Sequence, residues 1–420
     1  MTTPASLYRN AIDLNRYGNS VARRIINAYN DIIIDAVNQL RAIDEAAAPM
    51  KAARLRAILA QLKASLSTWA GDSTEVTAIE LQGLAELQSS FVAEQLAKVL
   101  PAGARNMVRT VEISPQFAQA VVTTDPTQLN AVVLSDDLFK TVYGAQANVA
   151  ATFNLTATQG AMITLPNGAV VEKAFRGIAV DQAERFSQVV RNGLLTGETT
   201  PSIAKRLIGK LNRSDERLMF GEVATTAGQL RAAGIKTSDA SVKNIVASGG
   251  ELTAMADNQI ISLVRTSINQ VANAAAMQTY EANPDITDSY RYVATLDSRT
   301  SAICRALDGK VFKYGQGPTP PQHFGCRSTI VAVIKDSLLG PSKVAKRASA
   351  DGPVPIDTTY GKWLHDQPAA VQADVLGPSK VPYFNRLASK YGPEKAIAKM
   401  VSEDGSELTL KQLQKRYGTP

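Results

Sequence analysis

Thiol and imidazole groups are scarce in this chain: its 420 residues hold two cysteines and two histidines. Two cysteines cannot brace a protein of this size, so a disulfide-built scaffold is excluded and a reducing compartment is expected. Aromatic residues make up only 6% of the sequence, while alanine is plentiful, which favours helix over sheet. The longest apolar runs, such as Ile32-Ile33-Ile34, are far too short to span a bilayer. The first residues show no basic start followed by an apolar core, so no secretory leader is expected, and the chain reads as soluble and made in a cytoplasm. There is no Walker phosphate loop, no strand-linked dinucleotide fingerprint and no paired-histidine metalloprotease helix. Internal repeats and long low-complexity segments are also lacking.

Size and charge set wider bounds. A chain this long suggests two or three domains with ample core. Hydrophobic content of 45% and charged content of 20% are ordinary for a globular protein. The net charge of +7 permits contact with nucleic acid without demanding it, because the basic residues are interspersed with acids. Lysines and arginines in 180–211 and 385–420 suit sequence-blind phosphate contacts, or simply a solvated face.

Residues 4–100 carry a helical pattern. Leu7, Ile12, Val21, Ile25, Tyr29, Ile33, Val37 and Leu40 recur at three- and four-residue steps. A second apolar run, Leu55 to Leu66, and a third over 76–100 predict three long helices, packed as a bundle or projecting as an arm. Pro101-Ala102-Gly103 is a helix stop. Residues 106–175 read differently. The stretches 110–113, 120–123 and 132–134 are short and β-branched, and Asn167-Gly168 between apolar residues predicts a hairpin. Helix is expected again from 179 to 211, broken near Gly193 and Gly197 and restarted at Thr200-Pro201. Residues 212–250 read as a polar inserted helix pair, and 251–281 as one alanine-rich helix. Beyond 333, turn-rich linkers over 340–358 and 377–381 separate short helices.

The most informative segment is 290–333, YRYVATLDSRTSAICRALDGKVFKYGQGPTPPQHFGCRSTIVAV. Both cysteines, Cys304 and Cys326, and one of the two histidines, His323, fall inside it. It also holds Asp297, Arg299, Thr300, the Asp308-Gly309 turn, Pro320-Pro321 and Arg327. Cys304, His323 and Cys326 are ligands of the type zinc takes, but a structural zinc site wants four. Asp297 is the candidate fourth. Two other readings stay open: a Cys304–Cys326 disulfide, or buried thiols with His323 bonded to a carbonyl. Cys304, His323 and Asp297 also name the members of a thiol-hydrolase triad, yet no activated nucleophile or oxyanion pocket can be read. No catalytic residue and no cofactor other than zinc is therefore assigned. His365 reads as a surface or packing residue.

The segment resembles the signature of the phage head morphogenesis family, the Mu F-like minor head proteins. Asp297, Arg299, Thr300, Cys304, Leu307, Asp308, Gly309, Phe312, Pro321, His323, Cys326 and Arg327 fall on the pattern in order. Ser301 and Ser328 depart from it, standing where the family often has cysteine. Upstream, ISLVRTSINQVANAAAMQTY (261–280) resembles the family's Arg-Thr-Glu helix, with Ser267 in place of Glu. RFSQVVRNGLLTGETTPSIAKRL (185–207) resembles its helix–turn–helix. Residues 359–384 and 403–413 resemble extensions seen in some members.

The residue patterns describe an α+β, predominantly α-helical protein with a helical bundle or arm (1–104), a small β-rich region with a hairpin (105–178) and a C-terminal helical extension (339–420). The resemblance marks 179–338, with the insertion at 212–250, as a mixed α/β minor-head core. It implies a structural minor capsid protein of a tailed bacteriophage, not an enzyme. Such a protein joins the virion head at or near the portal and assists assembly and DNA packaging or ejection. Its implied partners are the portal and other head proteins, with nonspecific genomic DNA contact and self-association as further options, and no membrane. Its implied places are the head interior or portal vertex, and the host cytoplasm during assembly. Asp297, Arg299, Thr300, Asp308, Gly309 and Arg327 are then structural motif residues. The rival readings are a genome-delivered enzyme with a Cys/His metal or thiol centre, and a DNA-binding internal head protein.

Overall fold

A computed structural model of the full chain describes residues 5–43, 48–113, 165–166, 169–195, 198–208, 252–338 and 346–419. The chain divides into two compact units. One comprises residues 19–77 and 171–264, the other residues 1–18, 78–170 and 265–420. The described elements are mainly helices with two small antiparallel sheets, which is the predominantly helical α+β class expected. Among the described residues no helix is long and apolar enough to cross a membrane. The predicted Asn167-Gly168 turn, the stretches 120–123 and 132–134, and the insertion at 212–250 lie outside the described residues.

Two long helices open the chain, α1 (Ala5–Arg41) and α2 (Ala48–Val99). The sequence predicts a break between the second and third apolar runs, but α2 continues through it. No proline interrupts 67–75. The polar residues there bond back into their own helix instead of turning it: Thr74 Oγ1 donates to the Ala70 carbonyl and Thr77 Oγ1 to the Ser73 carbonyl, both at 2.7 Å.

In the first unit, Val21, Ile25, Tyr29, Ile33 and Val37 line one face of α1, and Leu55, Ile58, Leu62, Leu66 and Trp69 line α2. Helix α3 (Val171–Leu195) adds Phe175, Phe186 and Val189, and α4 (Thr200–Ile208) adds Ile203 and Leu207. This face-to-face burial makes residues 19–77 part of a packed bundle. Helix α3 starts at Val171, eight residues before the expected 179. The β-branched pair Val170-Val171 reads as strand locally, but both side chains are buried, and tertiary packing overrides local propensity. The cap of α4 also differs by one residue: Thr199, not Thr200, accepts the Ser202 N–H at 3.4 Å. Behind that turn, the buried Arg206 donates to the Val189 carbonyl at 3.0 Å and pairs with Glu198 at 3.1 Å.

The second unit is built on α5 (Leu252–Glu281), from Arg265 onward, and the α2 segment from Ala78 onward. Strands β1 (Thr287–Val293), β2 (Val311–Lys313) and β3 (Thr329–Ile334) form an antiparallel sheet of order β2-β1-β3. Tyr290 on β1 faces Phe312 on β2 and Ala332 on β3. It packs with Ile330 against Val92, Leu96, Ala276 and Tyr280. Burying side chains of this size contributes about 1.5–3 kcal/mol each. Among the described residues the stretch 110–113, expected as strand, is reduced to a single bridge residue at Thr110; it contributes buried Val111 and Ile113, and Ser89 Oγ donates to the Val111 carbonyl at 2.9 Å.

Residues 346–355 form a hairpin, β4 (Lys346–Ser349) and β5 (Gly352–Pro355), where the sequence reads as a turn-rich linker. Pro353 and Pro355 lack the N–H that an inner strand needs, so β5 suits an edge. Helices α7 (Tyr360–His365), α8 (Ala369–Leu376), α9 (Val381–Tyr391), α10 (Pro393–Lys399) and α11 (Leu410–Tyr417) follow. They close around Tyr360, Trp363, Phe384, Leu387, Met400 and Leu413.

Candidate metal-ligand cluster

The motif residues gather in three places within the second unit. Asp297, Arg299, Thr300 and Arg327 form the first. Arg327 donates through both terminal nitrogens to the Asp297 carboxylate, at 2.5 and 2.7 Å. The same carboxylate accepts the Arg299 N–H at 3.1 Å and the Thr300 hydroxyl at 3.2 Å. A planar guanidinium matched to a carboxylate is the strong form of this pair. It ties the loop after β1 to the loop before β3. The Arg299 side chain itself is 80% exposed and contributes mainly its backbone N–H.

Burial works against the Asp297 charge, but the Arg327 and Thr300 hydrogen bonds outweigh it and hold the carboxyl below its usual range. A depressed folded-state pKa adds stability that is present above the unfolded-state value and lost as pH falls through the folded-state value. Asp297→Asn should therefore lose roughly 1–3 kcal/mol at neutral pH. The parent and variant stabilities should converge as pH drops below about 4. Urea midpoints measured across that range check it, and parallel curves would contradict it.

Asp308 and Gly309 form the second group. Asp308 accepts from Ala294 N at 2.7 Å, Tyr360 N at 2.6 Å and Arg347 Nη1 at 2.9 Å. The Asp308–Arg347 pair is almost fully buried, with side-chain exposures of 0% and 2%. Arg347 also donates to the carbonyls of Thr358, at 2.9 Å, and Ala294. Gly309 has φ +79°, and an added Cβ would lie 2.8 Å from Thr359 Cγ2, so its position excludes a side chain on two grounds.

Cys304, His323 and Cys326 form the third. Cys304 lies in α6 (Ala302–Leu307), whose first turn is capped by Ser301. His323 and Cys326 sit on a tight turn, with the Cys326 N–H donating to the His323 carbonyl at 3.2 Å. Gly325 within it has φ +72° and donates its N–H to Thr266 Oγ1 at 2.8 Å. Asn273 Oδ1 accepts from Ile330 N and Thr329 Oγ1, both at 3.1 Å, fixing the start of β3 against α5.

Both cysteines are free and buried, at 1% and 3% exposure. Their sulfurs are 3.7 Å apart, and Cys304 Sγ is 3.4 Å from His323 Nε2. Ser301 Oγ is 2.8 Å from the same nitrogen, and Tyr292 OH is 3.2 Å from Cys304 Sγ. The hydrogen bond between the thiols pulls Cys326 down to about 6, against its burial, and together with burial pushes Cys304 up to about 12. His323 is raised, chiefly by its bond with Cys304.

The candidate ligands Cys304, His323 and Cys326 thus converge, while Asp297 does not join them. Its carboxylate is held by Arg327, and His323 Nδ1 faces the Phe324 carbonyl at 2.9 Å instead of an acid. The Cys-His-Asp order of a thiol triad is accordingly not assembled. His365 packs edge-on to Phe384 at 6.4 Å, apart from the cluster. Sequence reasoning missed Arg347, Tyr292 and Tyr360. Arg347 carries no local signal, being one basic residue in a turn-rich stretch. Thr266 had a signal, since it belongs to the Arg-Thr pair of the 261–280 helix.

Residues 184–331 match the family described as Phage Mu protein F like protein, and this part of the chain is a Mu F-like domain. It contains α4, α5, the sheet as far as Val331 and all three residue groups up to Arg327. The Mu-like prophage FluMu F protein of Haemophilus influenzae is 26% identical over 170 residues, or 37% of this chain and 40% of that protein. The similarity therefore spans less than half of that relative's length. No solved structure matches the chain.

Proposed function

We propose that this protein is a low-copy minor head protein of a tailed bacteriophage. In this reading it joins the head at or near the portal and assists head assembly and the packaging or ejection of DNA. The observation that carries the reading is the Mu F-like match over 184–331. The use made of the motif residues supports it. Asp297, Asp308, Gly309 and Arg327 hold loops together, which is a structural role. The cavity bordering Cys326 has a volume of about 60 Å³. Small-molecule pockets run to about 300–1,000 Å³. In this reading the chain is a builder of the particle and not an enzyme.

Its partners are the portal protein, other head proteins and further copies of itself. Genomic DNA is a second partner for the C-terminal helices. There the exposed Tyr391 ring has the Lys390 and Lys399 ammoniums 5.1 and 4.6 Å from its centre. Such a face suits stacking and phosphate contact without sequence preference. The protein works in the virion, at the head interior or portal vertex, after assembly in the host cytoplasm.

Quantitative mass spectrometry of purified particles, empty and DNA-filled, tests this. A copy number near the portal's in both kinds of head is expected. Absence from particles overturns the reading, and presence in filled heads alone would make DNA the anchor in place of the portal.

A further inference from the structure

We propose that Cys304, His323 and Cys326 bind one divalent metal ion of the zinc class, with the fourth corner of the site beside Ser301. Distances carry the argument. Zinc–sulfur bonds of about 2.3 Å and zinc–nitrogen bonds of about 2.0–2.1 Å, at tetrahedral angles, put two sulfurs about 3.8 Å apart and a sulfur and nitrogen about 3.6 Å apart. The two sulfurs here are 3.7 Å apart, and the Cys304 sulfur is 3.4 Å from His323 Nε2. All three ligand atoms lie within 4.8 Å of one another. Two edges of the tetrahedron already have their metal-bound lengths.

The imidazole is oriented for the task. Its Nδ1 lies 2.9 Å from the Phe324 carbonyl, which can only accept, so Nδ1 carries the proton. Nε2 is then the lone-pair nitrogen, and it points at the sulfurs. Metal-bound histidines are held in this way, through a hydrogen bond from the other ring nitrogen to a carbonyl or carboxylate. Tyr292 OH, 3.2 Å from Cys304 Sγ, supplies a donor to a metal-bound thiolate. The ligands stand on two braced pieces of chain, the capped first turn of α6 and the turn pinned to Thr266, so binding orders little.

Ser301 Oγ is 2.8 Å from Nε2. An oxygen and a nitrogen on one zinc ion would be about 3.3 Å apart. The hydroxyl therefore stands as a hydrogen-bond partner of the imidazole, and with metal present it holds a water in the fourth position. Both ligating sulfurs are thiolates in the complex, so any thiol proton still present leaves to solvent on binding, and the two thiolates neutralise the divalent charge. Sulfur and imidazole select zinc-class ions over magnesium or calcium. This inference does not depend on where the protein sits in a particle.

The test is a titration of the full-length chain, reduced and stripped with chelator, with Co²⁺ and then Zn²⁺. One equivalent of cobalt should give the intense visible bands of four-coordinate geometry and a near-ultraviolet thiolate-to-cobalt band, both displaced by zinc. Cys326→Ser should lower the thiolate band by about half, from two sulfurs to one, and Ser301→Cys should raise it by about half, from two to three. The gain in Ser301→Cys keeps the test informative if Cys326→Ser fails to fold. A six-coordinate cobalt spectrum, or a thiolate band that Ser301→Cys leaves unchanged, overturns the proposal.

Discussion

Replacing Asp308 by alanine should destabilise the second unit by roughly 3–5 kcal/mol, because it leaves the Arg347 guanidinium buried without its counter-charge. The carboxylate has no solvent-facing side: it accepts from Arg347, Ala294 N and Tyr360 N at once. Arg347 cannot relax outward, being 2% exposed and tied to the Ala294 and Thr358 carbonyls. Losing the acid therefore strands a cation and two backbone donors together. Asp308→Asn keeps the shape and one acceptor oxygen, and should cost less. A double change that also replaces Arg347 by methionine should recover part of the loss, since the penalty lies in the unpaired charge and not in the missing pair. The two tryptophans make the readout local. Trp363 lies in the unit with Asp308, and Trp69 lies in the other. In a Trp69→Phe background, urea unfolding followed by Trp363 fluorescence reports on the affected unit. If Asp308→Ala shifts that midpoint no more than a surface substitution does, the buried pair is not holding the hairpin to the motif block.

Trp69→Ala should cost the helical unit about 3–5 kcal/mol, the range for emptying a large aromatic site in a packed core. The indole is 3% exposed. It sits 5.5 Å from the Tyr29 ring and 5.8 Å, edge-on, from Phe175, and donates to the Ile25 carbonyl at 3.1 Å. It therefore joins α1, α2 and α3 at one point. Alanine would leave a cavity bordered by two rings, and Tyr29 is itself held by a bond to Gln182 at 3.2 Å, which limits collapse. Trp69→Phe keeps most of the volume and should lose roughly 1–2 kcal/mol, largely the hydrogen bond and the second ring. Circular dichroism melts of the three proteins, with Trp363 fluorescence as the internal control, check the order. Equal losses for alanine and phenylalanine would show that the hydrogen bond, not the packing, is what matters at this site.

Much of the molecule is legible in the residues alone. The apolar faces of α1, α3 and α5 follow from spacing, since a 3.6-residue period leaves little freedom about which side is buried. The segment 290–333 stands out because sulfur and imidazole are rare enough for their clustering to carry information. The Asp308-Gly309 turn is readable because only glycine suits a positive φ beside another chain segment. Each of these signals can be read along the chain without knowing which distant segments meet.

What tertiary structure alone decided depends on partners far along the chain. Helix α2 runs unbroken through Thr74 and Thr77, which packing buries and whose hydroxyls bond back into the helix, although their types allow a turn. Val171 is helical because its side chain is buried in a bundle, although its type favours a strand. Arg347 could not be recognised from its own surroundings, as its meaning comes from Asp308, 39 residues away. Asp297 reads by composition as a metal ligand, and the fold gives it to Arg327 instead, 30 residues on. The convergence of Cys304, His323 and Cys326 was expected as a list of residues. Their distances, and the carbonyl that fixes the imidazole, are products of how α5 pins the turn and how β1 and β3 pair. Residue type and spacing determined which groups were available, and long-range packing determined which of them met.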